Sequence, residues 1–281
     1  MKLKRKVNFD ICTYCNHKCV FCSNPDPRTI KDQTSLADFK KVMRNLTKNV
    51  EVSELGLSAR GEALINKGFA QIIESCKQEF HMSYVYFSTN GALLTNKKSI
   101  ELLDAGVDSI KFSVNALDAE TYNSVHQVND FDLSIENFKN LLLLKKSKYR
   151  NLKITISSVI DLDEDLLKDE FEKILGDDYG LIDGISVNAI VYTSKFDEVS
   201  ARKVITKKCP IPFEVVSINS DGSLGLCCRD YFGEINFGSL KENDFMDLYN
   251  SKEFTEIRKM HDKSKFPDNH LCKRCLLYSG E

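Results

Sequence analysis

The sequence predicts an α/β fold in which parallel strands alternate with helices, followed by a small C-terminal unit made of a β-hairpin and a helix. Short runs of β-branched and other apolar residues alternate with segments whose apolar residues recur at helical spacing. This alternation is typical of a parallel sheet with right-handed crossover connections. It stops near residue 195, and the dipeptide Asp221-Gly222 then predicts a two-residue hairpin turn.

The predicted elements of the first part follow one another in a regular order. Strands are predicted at residues 6–11, 54–58, 84–88, 109–114, 152–160 and 185–191. Helices are predicted at residues 36–46, 69–80, 97–104, 131–142 and 166–175. Thr34 or Ser35 is the expected N-cap of the first helix, and Gly106 is the expected end of the third. Periodicity alone leaves both an open sheet and a barrel as possible architectures.

The composition changes in the second part of the chain. Residues 194–208 are polar and are predicted to form a connector, while 214–219 and 223–228 are predicted to be the two strands of the hairpin. A helix is predicted at 244–260. We therefore predict two domains, at residues 1–195 and 196–281.

Composition and charge exclude several classes of function. The 281 residues are 42% hydrophobic, and 39 Lys and Arg balance 41 Asp and Glu. Without a block of basic residues there is no electrostatic case for a nucleic-acid or anionic-membrane partner. No apolar run approaches the roughly 20 residues that span a bilayer, and no signal-peptide apolar region follows the basic N-terminal residues. The expected location is the cytoplasm.

The ten cysteines indicate metal binding rather than disulfides. The cytoplasm keeps thiols reduced, and cysteines grouped at short spacings there are typical of metal sites. The groups lie within residues 12–22 and 209–275. Cys76 lies apart from both, on the apolar stripe of a predicted helix, and is interpreted as a core residue.

The first group follows the first predicted strand with the spacing Cys-x3-Cys-x2-Cys, formed by Cys15, Cys19 and Cys22. Three thiolates in one loop can bind three irons of a four-iron cluster and leave the fourth iron open for chemistry. A four-cysteine zinc site that includes Cys12 remains an alternative, because zinc also prefers thiolates.

This loop, with the aromatic Phe21 before its last cysteine, resembles the signature loop of the radical S-adenosyl-L-methionine (SAM) enzymes. The resemblance implies a partial (β/α)6, TIM-like barrel with the loop at the carboxyl ends of its strands. It implies that the open iron of a [4Fe-4S] cluster binds SAM, and that an electron from the cluster releases a 5′-deoxyadenosyl radical that removes a hydrogen atom from the substrate. It also implies an electron donor such as flavodoxin or ferredoxin. Cys12 stands where the family often has a small residue, so we predict that it does not bind metal.

Further segments match the same family in order. Gly61-Glu62 resembles its Gly-Glu motif, with Ala63 in place of the usual proline, and 88–91 resembles its Thr-Asn-Gly turn. Asn137 lies near where some relatives carry an arginine for the SAM carboxylate. The resemblance implies SAM contacts from Phe21, Gly61, Glu62, Ser88, Asn90, Gly91, Ser113 and Asn137.

The second group resembles the opening of the SPASM domain, a seven-cysteine domain with two auxiliary four-iron clusters. Its matching residues are Cys209, Gly222, Cys227, Cys272 and Cys275. The next cysteine of the full pattern falls at Glu281, so we expect the shortened form, a twitch domain. That form implies a second, auxiliary [4Fe-4S] cluster bound by the four cysteines, with structural zinc as the alternative.

The resemblance extends to twitch enzymes that oxidise aminocyclitols such as 2-deoxy-scyllo-inosamine. It implies a dehydrogenase of a small polyhydroxylated substrate, a sugar or aminocyclitol, with the auxiliary cluster as electron acceptor. Three alternatives remain: an epimerase in which Cys228 returns the hydrogen atom, a peptide-modifying enzyme, and a zinc-stabilised binding module without catalysis. Arg229 and Asp230 are candidates for the substrate side. The five histidines show no paired spacing, so we interpret them as surface residues or residues behind the site, and no general base is assigned.

Overall fold

The computed structural model describes residues 2–24, 27, 29–57, 60–159, 164–187 and 208–275. In these residues the strands form one continuous sheet in the order β6-β5-β4-β3-β2-β1-β7-β8-β9. The strands are β1 (Leu3–Phe9), β2 (Val50–Gly56), β3 (Val85–Thr89), β4 (Ser109–Ser113), β5 (Lys153–Ser158), β6 (Gly184–Val187), β7 (Val215–Ile218), β8 (Ser223–Gly225) and β9 (Asn236–Ser239). Neighbours from β6 to β7 are parallel, and β8 and β9 are antiparallel. The sheet is open, which confirms the predicted α/β fold with a partial barrel.

The helices lie between the strands, as the apolar periodicity predicts. They are α1 (Leu36–Asn49), α2 (Phe69–Gln78), α3 (Asn96–Asp104), α4 (Ala119–His126), α5 (Phe131–Ser147), α6 (Glu164–Leu175), α7 (Ile211–Glu214), α8 (Phe245–Tyr249), α9 (Lys252–Asp262) and α10 (Leu271–Arg274). Ser35 is the N-cap of α1, because its hydroxyl accepts a hydrogen bond from the Asp38 N–H at 3.0 Å. Within the described part of the chain, no helix combines the length and the apolar character needed to cross a membrane.

Two helix predictions differ from the structure. The predicted helix at 244–260 is two helices, α8 and α9, because the Ser251 hydroxyl accepts from the Phe254 N–H and caps a new helix. Helix α4 is absent from the predictions because only Tyr122 and His126 of its eight residues are buried, and such a sparse apolar pattern is not detectable in the sequence.

The strands bury their apolar residues on one face and present polar residues on the other. Phe87, Phe112 and Ile156 are fully buried against the helices. Since side chains alternate between faces along a strand, Ser88 of β3 and Ser113 of β4 point to the opposite face. This polar face leads to the carboxyl ends of the parallel strands, where the site described below lies.

The C-terminal hairpin continues the same sheet instead of standing apart. Strand β7 pairs in parallel with β1, with Asn8 opposite Ser217. A hairpin turn forms at Asp221-Gly222 as predicted, but its loop has three residues, 220–222, instead of two, because the Asn219 N–H donates to the Ser223 carbonyl at 2.9 Å. Gly222 has φ +83°, a conformation that favours glycine. The predicted boundary at 195/196, most of the connector at 194–208 and the end of the strand at 185–191 lie outside the described residues.

Candidate active site and auxiliary metal centre

The loop after β1 places Cys15, Cys19 and Cys22 in the wall of a cavity of about 230 Å³ at the carboxyl ends of the strands. Backbone N–H groups are directed at two of the sulfurs: that of His17 at Cys15 Sγ (3.5 Å) and that of Asn24 at Cys22 Sγ (3.3 Å). Such N–H groups stabilise thiolates. Burial raises the pKa of Cys15 to about 11 and raises the pKa of Cys19 and of Cys22, and the charges of neighbouring thiolates raise the pKa of Cys15 and Cys19 further. A cation among the sulfurs removes this penalty, so the three-thiolate set fits a [4Fe-4S] cluster.

Gly61 and Glu62 lie directly against this loop. A Cβ on Gly61 would lie 2.4 Å from the Cys12 carbonyl oxygen and 2.5 Å from that of Tyr14, so only glycine fits. The buried Glu62 carboxylate accepts hydrogen bonds from the Thr89 hydroxyl (3.1 Å) and from the N–H of Asn90 (3.0 Å). Burial raises the pKa of Glu62 to about 7. The result is a fixed carboxylate in the cavity wall, suited to a cationic ligand group.

The turn at 88–91 forms another part of the wall. The Asn90 side-chain amide donates to Asn16 Oδ1 at 3.0 Å and so connects this turn to the cysteine loop. Gly91 has φ +83°, and a Cβ there would lie 2.0 Å from the Phe112 ring. The Asn137 amide donates to the Gly91 carbonyl at 2.9 Å.

Most of the residues predicted to contact SAM meet at this cavity. Phe21, Gly61, Glu62, Ser88, Asn90 and Ser113 line it. Gly91 and Asn137 are not among the described residues that line the cavity. These two support the turn that carries Asn90.

A buried histidine pair beside Cys19 was not predicted from the sequence. His126 Nδ1 lies 3.3 Å from Cys19 Sγ and 3.2 Å from His17 Nδ1, while His17 Nε2 lies 3.1 Å from Asp130 Oδ2. One tautomer assignment satisfies all contacts: His17 Nε2–H donates to Asp130, and His126 Nδ1–H is shared between Cys19 Sγ and His17 Nδ1. Asn115 Nδ2 faces the other ring nitrogen of His126 at 3.5 Å.

The histidines are 2% and 1% exposed, so the surface alternative is wrong for both. Burial lowers the pKa of His17, and it lowers the pKa of His126 to about 4, so both rings are neutral at pH 7. The potential ligand atoms of His17, Cys19 and His126 lie within 4.8 Å of one another, and the tautomers assigned above join the same atoms by hydrogen bonds. No spacing rule could have paired residues 109 positions apart.

Replacing His126 by phenylalanine is expected to lower the midpoint potential of the loop cluster by on the order of 50 mV. An N–H group that donates to a ligand sulfur stabilises the more negative, reduced state, and phenylalanine removes this donor. The measurement is an EPR-monitored redox titration of the reconstituted protein.

His126→Asn is the matched variant, because its amide group lies near the position of Nδ1 and keeps a donor. The midpoint potential of this variant should lie between that of the wild type and that of His126→Phe. Tyr122→Phe, which keeps the ring stacked on His126 at 4.1 Å, should leave the potential unchanged. A potential equal to that of the wild type in His126→Phe would contradict the assigned hydrogen bond.

The second cysteine set converges on a separate small cavity with apolar walls. Cys209 precedes α7, Cys227 follows β8, and Cys272 and Cys275 lie in and directly after α10; all four line the cavity. Burial raises the pKa of Cys209 and Cys227, and raises the pKa of Cys272 to about 12. The raised pKa values of Cys209, Cys227 and Cys272 mean that their thiolates are unfavourable without a cation, so this donor set fits a closed four-cysteine metal site.

Arg60 lies between the two cysteine sets. It lines the cavity of the first set and also a small cavity that contains Cys227 and Cys228. Its guanidinium donates to Asp10 Oδ2 at 2.5 Å and to Asn219 Oδ1 at 2.9 Å, joining the end of β1 to the C-terminal hairpin. The sequence offered no signal for this role, because it depends on the pairing of β7 with β1.

The remaining predicted residues have clear positions. Cys76 is buried in the core, which confirms its interpretation. Cys12 is buried and is not among the described residues that line either cysteine cavity. Arg229 lines the second cysteine cavity, while the buried Asp230 carboxylate accepts from the N–H groups of the two residues at 234 and 235. Cys228 is exposed.

Comparison with known proteins agrees with this geometry. A model of the radical SAM superfamily matches residues 10–175, which is more than half of the chain. This chain belongs to the radical SAM superfamily. The SPASM model, described as an iron-sulfur cluster-binding domain, matches residues 209–276. Both matches confirm the predicted family and favour iron–sulfur clusters over zinc.

Individual relatives are more distant. GTP 3′,8-cyclase of Petrotoga mobilis is 29% identical over 133 residues, which is 46% of this chain and 40% of that protein. The chain spans about half the length of the curated relatives it matches.

Two solved structures share the fold of this radical SAM protein. BtrN in complex with AdoMet and 2-DOIA has a TM-score of 0.62 at 16% identity, over 92% of this chain and 87% of BtrN. SuiB of Streptococcus suis bound to its precursor peptide SuiA has a TM-score of 0.73 at 16% identity, over 99% of this chain and 71% of SuiB. At such identities the likeness shows the fold alone.

Proposed function

We propose that this chain is a radical SAM oxidoreductase that removes a hydrogen atom from a small polyhydroxylated molecule, a sugar or an aminocyclitol, and oxidises it to a ketone. The observation that carries the proposal is the position of Arg60, which lines the cavity of the first cysteine set and a small cavity that includes Cys227 of the second set. A small substrate bound beside Arg60 would lie near both groups of cysteines. The reducing cytoplasm suits the reduced thiols of both sets.

The residues of the first cavity divide into two roles. Cys15, Cys19 and Cys22 would hold a [4Fe-4S] cluster, which together with bound SAM supplies the hydrogen-atom abstraction. Glu62 would accept a hydrogen bond from the SAM amino group, because its buried carboxylate is already oriented by three donors, Thr89 Oγ1, Asn90 N and Leu64 N. The other predicted SAM contacts, Phe21, Gly61, Ser88, Asn90 and Ser113, would contact the rest of the cofactor, while Gly91 and Asn137 hold the turn.

The second cysteine set would hold one auxiliary [4Fe-4S] cluster through Cys209, Cys227, Cys272 and Cys275. The chemistry it would supply is the acceptance of one electron. Conversion of a hydroxyl-bearing carbon to a ketone removes one hydrogen atom, one proton and one electron, so a one-electron acceptor near the substrate completes the balance.

The wall of the first cavity supports a polar small molecule as substrate. Besides the cysteines and the predicted SAM contacts, its lining includes the polar residues Asn115 and Ser157, and a polar wall suits a polyhydroxylated ligand. GTP 3′,8-cyclase, a relative by sequence, is named for a nucleotide, and the BtrN structure contains 2-DOIA. The fold shared with SuiB, which is bound to a peptide, favours peptide modification as the second candidate.

Cofactor cleavage separates these candidates. Anaerobically reconstituted protein with SAM and reduced flavodoxin or ferredoxin should form 5′-deoxyadenosine faster with one member of a panel of nucleotide sugars, aminocyclitols, nucleoside triphosphates and peptides. We expect an aminocyclitol or sugar to give this acceleration and a product lighter by two hydrogen atoms. Acceleration by peptides alone would reject the proposal.

The same assay in Cys228→Ala distinguishes oxidation from epimerisation. The exposed Cys228 thiol lies in the small cavity with Arg60 and is the candidate hydrogen donor of an epimerase. Oxidation should survive the substitution with the auxiliary cluster intact. Loss of turnover with both clusters still present would favour the epimerase.

A further inference from the structure

The small cavity between the two cysteine sets contains two buried polar atoms that the proposed chemistry has not used. The cavity, here called the Asp10 cavity, has a volume of about 20 Å³ and is lined in part by Asp10, Arg60, Ser217, Cys227 and Cys228. A volume of this size accommodates one water molecule or one hydroxyl group.

Asp10 Oδ1 and Ser217 Oγ are buried and have no hydrogen-bond partner among the described residues. Asp10 is 2% exposed and Ser217 is 7% exposed. Leaving buried polar atoms unpaired is unfavourable, so native proteins rarely do so without a bound group or a functional reason. Two such atoms in one cavity therefore point to a ligand group that satisfies both.

The sheet and Arg60 hold both side chains in place. The Asp10 N–H donates to the Ile218 carbonyl at 2.9 Å, which places Asp10 beside the end of β7, the strand that carries Ser217. The second carboxylate oxygen, Asp10 Oδ2, accepts from Arg60 Nε at 2.5 Å. Since Arg60 is also bound to Asn219, the carboxylate is oriented, and Oδ1 remains as its available acceptor.

Asp10 Oδ1 and Ser217 Oγ together fit a ligand group that both donates and accepts a hydrogen bond. A carboxylate oxygen only accepts, whereas a serine hydroxyl can also donate. A hydroxyl group satisfies both by donating to Asp10 Oδ1 and accepting from Ser217 Oγ–H. A ligand carboxylate or phosphate would repel Asp10.

We propose that Asp10 and Ser217 form a subsite for one hydroxyl group of the substrate, placed between the two cysteine sets. The proposal rests on the function proposed above and names the hydroxyl that is oxidised. Asp10 Oδ1 would accept the proton of this hydroxyl as its O–H bond breaks. The SAM and cluster of the first cavity would supply removal of the hydrogen atom from the carbon that bears it, and the cluster held by the second cysteine set would supply acceptance of one electron. A carbon–oxygen double bond results, and atoms and electrons balance.

Ser217→Ala in the full reconstituted protein is the first test, because this hydroxyl makes no hydrogen bond within the described residues and its loss should not disturb folding. The probe is the panel compound that accelerates 5′-deoxyadenosine formation in the wild type. We expect the KM for that compound to rise about fivefold, as for one lost hydrogen bond, with iron content unchanged. The compound should also raise the melting temperature of the SAM-loaded variant less than that of the wild type.

Ser75→Ala is the matched control. Ser75 is a buried serine of α2 that is not among the described residues lining the Asp10 cavity, and its hydroxyl already donates to the Ile72 carbonyl at 2.8 Å. This control should leave the KM at the wild-type value. Deoxy analogues of the probe supply the second comparison: the analogue that lacks the bound hydroxyl should bind wild type and Ser217→Ala equally.

Asp10→Asn tests the proton transfer. Its amide keeps the size of the side chain, and we expect ketone formation to fall at least tenfold while SAM cleavage continues.

The Ser217→Ala experiment can overturn the subsite without affecting the proposed function. This is the outcome if a probe accelerates the wild type and shows the same KM and the same stabilising effect in Ser217→Ala. If no small polyhydroxylated compound accelerates the wild type, both proposals are rejected.

Discussion

Cys22→Ala is expected to abolish SAM cleavage while the C-terminal cluster remains bound. Cys22 lines the first cavity with Cys15 and Cys19, and two thiolates do not hold a four-iron cluster in its three-cysteine loop. Iron should fall from about eight to about four per chain, as expected for loss of one of two four-iron clusters. The measurements are iron content, EPR of the reduced protein and 5′-deoxyadenosine formation.

Cys76→Ala is the matched control for Cys22→Ala. This cysteine is equally a free thiol, but it is buried on α2 in the apolar core. The control should keep both clusters and cleave SAM at the wild-type rate, even if it unfolds at a lower temperature. If Cys22→Ala still cleaved SAM, the cysteine loop would not be the site of the cluster that cleaves it.

Glu62→Gln is expected to weaken SAM binding on the order of 100-fold, equivalent to about 3 kcal/mol. The buried carboxylate accepts from Thr89, Asn90 and Leu64, and glutamine replaces one acceptor oxygen by an NH2 group that faces donors. It also removes the negative charge that strengthens acceptance of a hydrogen bond from the SAM amino group. Equilibrium binding of SAM to anaerobically reconstituted protein measures the effect.

Glu74→Gln is the control for Glu62→Gln, since Glu74 is an exposed glutamate on α2 that contacts Gln78. Its SAM affinity should equal that of the wild type. Equal affinity in Glu62→Gln would show that the carboxylate does not bind the cofactor.

The same carboxylate predicts a pH dependence. Burial raises the pKa of Glu62 to about 7 in the SAM-free protein, so the carboxyl is partly protonated at neutral pH. A cationic ligand favours the ionised form, so SAM affinity of the wild type should increase as the pH rises through 7. The Glu62→Gln variant should lack this increase.

The fold was predictable because its signals are local. Apolar residues at helical spacing in α1, α2 and α5, and short apolar strands between them, identify a parallel α/β sheet without any knowledge of contacts. Helix α4 was missed since it buries only Tyr122 and His126. The single helix predicted at 244–260 was wrong because the cap at Ser251 is decided by one hydrogen bond rather than by periodicity.

The two groups of cysteines that line the cavities and the glycine of the Gly61-Glu62 motif were likewise predictable. A metal-binding loop needs its cysteines at short spacings, and such spacings can be recognised in the sequence. Close contact between two backbone segments requires glycine, which can be recognised in the same way. The residues that surround these cysteines have no such signal in the sequence. His126 meets Cys19 across 107 positions, and Arg60 meets Asn219 across 159.

By itself the sequence determined the family, the two groups of cysteines and the order of the six strands β1 to β6 with most of the helices between them. Only the tertiary structure decided how the two sets are related. The parallel pairing of β7 with β1 brings Ser217 beside Asp10, and Arg60 then bridges the sets. Which polar atoms remain buried and unpaired depends on packing between distant segments, and no local pattern encodes that. The candidate hydroxyl subsite therefore emerged from the folded chain alone.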